Sequence, residues 1–152
     1  MDEHNPIIKL VNEGMKSERK GKIERAQELF VKAWKTSSDN HEKCIAVHFV
    51  ARHQNSPEDT LKWNIESLNR AKDAPQEKVK SYYPSLYLSI GISYENFGNH
   101  MEAKKYYNLA FEKISDLPTG KDSGFYSKGV RESILERRNG LEGKMRGEPI
   151  SL

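Results

Sequence analysis

The chain has one cysteine, Cys44, in 152 residues. That excludes an intramolecular disulfide framework and a thiolate metal cluster, and it suits a reducing cytoplasmic location. No apolar run approaches the roughly 20 residues needed to span a bilayer. The first residues, Met1 to Pro6, lack a basic stretch followed by an apolar one, so no secretory signal is expected. Excess charge of one sign is also scarce. There are 25 basic and 22 acidic side chains, a net charge of +3, mixed along the chain. This balance gives little reason to expect nucleic acid as a partner.

Chemistry-bearing patterns are missing too. Neither Gly-x-Gly-x-x-Gly nor the Walker pattern occurs, so no loop is expected to cradle phosphates. The five histidines are His4, His41, His48, His53 and His100. His48 and His53 would lie about 140° apart around a helix, with no third ligand nearby. No His-Glu-x-x-His pattern is present. Bounded runs of β-branched residues are absent, so a sheet that could hold a dinucleotide has nowhere to form. The expectation is a protein that is not an enzyme and carries no metal or cofactor.

What is present is a pattern stated twice. Leu10, Gly14, Gly21, Ala26, Phe30 and Ala33 match Tyr87, Gly91, Gly98, Ala103, Tyr107 and Ala110 at a constant offset of 77 residues. Leu29 also matches Tyr106, and Trp34 matches Phe111. An internal repeat of this kind fixes architecture before any single residue does. Apolar residues recur at steps of three and four, which is helical spacing. A first helix is expected from Pro6 to about Lys20, capped by Asn5 and ended by Gly21. A second follows to Thr36 or Ser37, with a stripe of Ile23, Ala26, Phe30, Ala33 and Trp34.

The third helix, about His41 to Gln54, is apolar on most sides, as for an element packed between two neighbours. Ser56 and Pro57 then start a fourth, with Ser56 as N-cap. Near Pro84 the pattern permits either a kinked helix or a fresh start. A helix to about Phe97 follows, then one from Met101 to Leu117, a loop at Pro118 to Gly120, and a charged final helix. Gly21 to Asn55 is 34 residues and Asn55 to Gly98 is 43, which together span the repeat offset. The expected organisation is a single all-α domain over 1–152. It comprises helix pairs at about 6–37, 41–73 and 76–117, then a C-terminal capping helix at about 122–145.

Helix pairs of this length with small residues at the crossing resemble the tetratricopeptide repeat. The best-matching unit is Tyr87, Ile90-Gly91, Tyr94, Gly98, Ala103, Tyr107 and Ala110. Glu13 and Ser17 depart from the pattern in the first unit, and Thr60 to Ile65 depart in the middle one. The resemblance covers about residues 7 to 117 and implies an α-solenoid of three antiparallel pairs. In general character it looks like a small bacterial-type repeat protein. The long third unit resembles the extended repeats of bacterial peptide-responsive regulators, but no DNA-binding helix-turn-helix precedes it here.

The resemblance implies a concave groove built from the first helix of each pair, binding a protein or peptide. The expected groove side offers Ile8, Val11, Met15, Glu18 and Arg19 from the first helix. Ser85, Leu88, Ile92, Glu95 and Asn96 come from the fifth. His48 and Arg52, four apart on the third helix, could grip an acidic group. The plainer alternative is a satisfied histidine beside an arginine paired to an acid. The site set is therefore Val11, Met15, Arg19, His48, Arg52, Leu88, Ile92 and Asn96. Some family members clamp a terminal carboxylate through asparagine on these helices, but Met15 and Ile92 occupy the corresponding places here. Trp63 is expected to pack between repeats. The alternative function is a nucleic-acid-associated protein that uses its basic helix ends, such as Lys16, Arg19, Lys20, Lys22 and Arg25. No membrane contact is expected, and the alternative to an open groove is one covered by the final helix or by a second copy in a homodimer.

Overall fold

Asn5 shows how directly the sequence writes the first helix. Its side chain accepts hydrogen bonds from the Ile7 and Ile8 backbone N–H groups at 2.7 and 3.3 Å. Pro6 occupies the first turn, where no N–H partner is needed. The resulting helix α1 spans Pro6–Arg19. The computed structural model describes residues 4–117 and 124–147, and every regular element among them is helical. The expected loop from Pro118 to Gly120 lies outside the described residues, as does the chain beyond Gly147.

The remaining helices are α2 (Ile23–Thr36), α3 (Asn40–Val50), α4 (Pro57–Lys72), α5 (Gln76–Val79), α6 (Tyr83–Asn96), α7 (His100–Glu112) and α8 (Gly124–Met145). Short 3-10 turns occupy Ala51–His53, Lys80–Tyr82 and Ile114–Asp116. Pro84 lies in the first turn of α6, so that helix starts afresh. Ser56 and Asn99 cap α4 and α7 by accepting the N–H groups of Asp59 and Glu102. No described helix is long and apolar enough to cross a membrane.

Residue contacts divide the chain into two compact units, Met1–Lys78 and Val79–Leu152. In the first, α1 packs on α2, α2 on α3, and α3 on α4. Its core is built around Ile8, Val11, Phe30, Val47 and Val50, all almost inaccessible to solvent. Removing each such side chain from water stabilises the fold by about 1.5–3 kcal/mol. Trp63 of α4 meets Trp34 of α2 edge-on, with ring centroids 5.0 Å apart. In the second unit, α6 packs on α7, and α8 packs on both. There Val130, Ile134 and Leu141 of α8 join Tyr107, Ala103 and Ala110 in one core.

The glycine turns repeat in detail. Gly21 and Gly98 both have left-handed backbone, with φ of 76° and 80°. In both, the next residue's N–H returns to the preceding helix: Lys22 to the Ser17 carbonyl and Asn99 to that of Tyr94. Those bonds satisfy carbonyls that a helix end would otherwise leave open. Asn55 does not repeat this turn, although the 34-residue spacing matches it to Gly21. Among the described residues, no non-glycine has positive φ. Instead, α3 tightens into its 3-10 turn, Gln54 becomes extended, and Ser56 starts α4.

Candidate functional site

The two matched helix pairs cross at matched glycines. At Gly14, an added Cβ would fall inside contact distance of the Phe30 ring. At Gly91 it would lie 2.6 Å from ring carbons of Tyr107. Both aromatic rings are fully buried. The glycine supplies the depth into which the ring packs, so the small and the large residue form one device.

One turn further along α1 and α6 stands a matched carboxylate, Glu18 and Glu95. Glu18 accepts from Arg52 Nη1 at 2.7 Å and meets His53 Nε2 at 2.6 Å. Glu95 accepts from Lys144 Nζ at 2.6 Å and from the Tyr107 hydroxyl at 2.7 Å. Each carboxylate thus ties its helix pair to the element that packs next, the 3-10 turn after α3 for Glu18 and α8 for Glu95. Burial alone would raise the Glu95 carboxyl, but the hydrogen bonds from Lys144 and Tyr107 outweigh it and hold the group below its usual range. The same surroundings push the Tyr107 hydroxyl up, through burial and the adjacent carboxylate. Glu18 and Glu95 are 77 residues apart. The repeat alignment matches them and puts both on the expected groove side, but in the structure each is engaged by side chains of its own unit instead.

The predicted groove residues separate by burial. Val11 is 0% exposed and Leu88 8%. Both are core side chains, which corrects their assignment to a partner-binding surface. Ile8 and Ser85 are buried likewise. Helix packing draws these positions inward because more of the α1 and α6 surface is covered than a two-helix pattern implies. Ile92 is half-buried against the second unit's core, the same cluster that receives α8. Met15 is half-buried in the first unit, whereas Arg19 is exposed there and Asn96 is exposed in the second.

His48 and Arg52 do not form a free cationic pair. Arg52 is held by Glu18 and lies over the Phe49 ring, 4.7 Å from its centroid. The His48 Nδ1 is buried and has no hydrogen-bond partner among the described residues. Burial, with Arg52 nearby, pushes His48 down to about 4, so the ring is neutral at pH 7. Arg52 thus matches the plain alternative of an arginine paired to an acid. The basic run from Lys16 to Arg25 is exposed, with Arg25 on Glu28 at 3.4 Å. On α8, Arg138 binds Asn108 at 2.8 Å and covers Phe111.

No protein-family model matches the chain, and no curated protein or solved structure matches it either. Among the described residues, no group of three or more His, Cys, Asp or Glu side chains is placed to hold a metal ion. Cys44 is a buried free thiol, and burial raises it to about 11, which leaves it protonated and inert at neutral pH. Along α2 runs an open groove of about 790 Å³. It is lined by residues from Ile23 to Thr36, with His53 at its side. Ile23, which the helical spacing puts in the same stripe as Ala26 and Phe30, is exposed and lines this groove instead, because no neighbouring helix covers that end of α2.

Proposed function

We propose that the chain is a non-catalytic, tetratricopeptide-like scaffold of antiparallel helix pairs that binds a protein or peptide in the cytoplasm. The observation that supports it most is the glycine–aromatic crossing, made twice at the same spacing. Each crossing is followed by a carboxylate that fastens the next element. Units of this kind stack by repeating one interface, and their function lies in the side chains of the resulting faces. The face offered by the first unit is mixed in character, with half-buried Met15 beside exposed Arg19 on α1. In the second unit, taken by itself, exposed Asn96 on α6 would contribute. A helical or extended segment is the natural ligand for such a surface.

The test is affinity capture from native cell extract with wild-type protein and with Met15→Glu, followed by titration calorimetry of each captured protein. A partner that binds wild type and loses at least about tenfold affinity to Met15→Glu supports the reading. Binding should change little between 50 and 500 mM salt. Co-purifying nucleic acid, with affinity that falls steeply over that range, would replace the scaffold reading with the phosphate-binding one.

A further inference from the structure

Helix α2 shows a surface that its own unit leaves uncovered. Ile23 is 44% exposed at one end of the α2 groove, and half-buried Val31 lies two turns further on. Gln27 lies between them, and its buried Oε1 has no hydrogen-bond partner among the described residues. The charges bordering the groove are sorted by sign. Glu24 and Glu28 border its first half, and Lys32 and Lys35 border its second. Only Glu28 of these four makes an ion pair among the described residues, with exposed Arg25 at 3.4 Å. An exposed pair of that kind exchanges at little cost.

Acids first and bases last also suit the helix dipole. The dipole does not account for apolar Ile23 and Val31 on the same open side. Nor does the repeat impose the pattern. The matched positions on α7 are Met101, Lys105, Leu109 and Glu112, where the order of charge is the opposite.

We propose that this face of α2 is a contact between two copies of the chain, with the two α2 helices antiparallel about a two-fold axis level with residues 29 and 30. A face that is acidic at one end and basic at the other is complementary to itself only in that orientation. Glu24 of one copy then meets Lys35 of the other, and Glu28 meets Lys32, each pair formed twice. Ile23 lies against the aliphatic stems of Lys35 and Thr36. Gln27 comes opposite Lys32, and a turn of its amide gives the unpartnered oxygen a donor. The helix is 14 residues long, or about 21 Å. A contact of that size falls among small interfaces, so the dimer is a weak one. The inference does not depend on the scaffold reading.

Sedimentation velocity from about 1 to 500 µM at low salt tests it. Wild type should pass from monomer to dimer, and the dimer should weaken at 500 mM salt. Glu24→Lys with Glu28→Lys should be monomeric, as should Lys32→Glu with Lys35→Glu, because each reversal sets like charges opposite one another. An equimolar mixture of the two double variants should restore a dimer. All four positions are at the surface, so helical circular dichroism should be unchanged, and Ile23→Asp provides a separate disruption without reversing a pair. A wild type that stays monomeric at 500 µM would overturn the proposal. So would a dimer that ignores both reversals, or reversed variants that fail to associate when mixed.

Discussion

The two units solve the same packing problem with different chemistry. Both seat a buried ring against a glycine and place a carboxylate one turn beyond it. In the second unit, Tyr107 itself donates to Glu95, and Lys144 completes the site. In the first unit the ring is Phe30, which has no hydroxyl. There His53 stacks on Phe30, with ring centroids 6.2 Å apart and planes within 3°, and brings its Nε2 to Glu18. A hydroxyl on the ring in one unit is replaced by an imidazole beside the ring in the other. The conserved quantity is the satisfied carboxylate, since a buried carboxylate without donors is costly whatever residues surround it.

The units also carry their own reporters. Both tryptophans, Trp34 and Trp63, lie in the first unit, and all seven tyrosines fall at or after Tyr82. Tryptophan emission therefore follows the first unit and tyrosine signals follow the second. The largest effect is expected at the crossings. Gly14→Leu and Gly91→Leu should each destabilise by about 3 kcal/mol or more, because neither ring has room to move. Gly14→Leu should shift the tryptophan transition and Gly91→Leu the tyrosine one, in urea unfolding. A variant that melts like wild type would show that its glycine is not at the crossing.

The carboxylates come next. Glu95→Ala leaves the Tyr107 hydroxyl and Lys144 without their acceptor and should cost about 2 kcal/mol. Tyr107→Phe should cost about 1–2 kcal/mol and leave the Lys144 contact in place. Adding Phe30→Tyr to His53→Ala should recover part of what His53→Ala loses, if the new hydroxyl reaches Glu18. A double variant no more stable than His53→Ala would break the equivalence of the two sites. Chemical denaturation of the four proteins settles each case.

Acid should separate the units further. His48 is held at about 4 in the folded state, below the usual histidine value of about 6.5. The unfolded chain therefore takes up a proton first as pH falls. The stability tied to neutral His48 is complete above about pH 6.5 and is lost between there and pH 4, by ~1–3 kcal/mol. Among the described residues of the second unit, no histidine nitrogen is buried without a hydrogen-bond partner. Among the described residues, a carboxyl is also held below its usual range in each unit: Glu42, through the Ser38 backbone N–H, and Glu95. Those contributions persist to lower pH and are lost as pH falls through the lowered carboxyl values. Tryptophan-monitored stability should thus decline first, and His48→Leu should flatten that decline. The smallest effect is expected from Arg52→Ala. That pair is open to solvent, with Arg52 39% exposed, and should contribute less than about 1 kcal/mol.

Much of the fold was legible because its signals are local. Asn5 and Ser56 cap helices through N–H groups only two or three residues away. Gly21 and Gly98 take the left-handed backbone that ends α1 and α6. The pairing of small and large residues at the crossings was likewise written in the repeat. Less of the candidate surface could be read. Met15, Arg19 and Asn96 are at least partly accessible, but Val11 and Leu88 are core residues. An apolar residue on a helix carries no mark of whether a third helix will cover it.

By itself, the sequence determined the helical class, the glycine turns and the twofold repetition, since each follows from contacts within a few residues or from a fixed period. Only the tertiary structure decided which donors reach Glu18 and Glu95. They include Arg52, 34 residues away, and Lys144, 49 residues away. It also decided that Asn55 would not copy a glycine turn, that His48 would be neutral, and that one side of α2 would stay open. Those outcomes depend on which surfaces meet when distant segments exclude water together, and no local pattern encodes that choice.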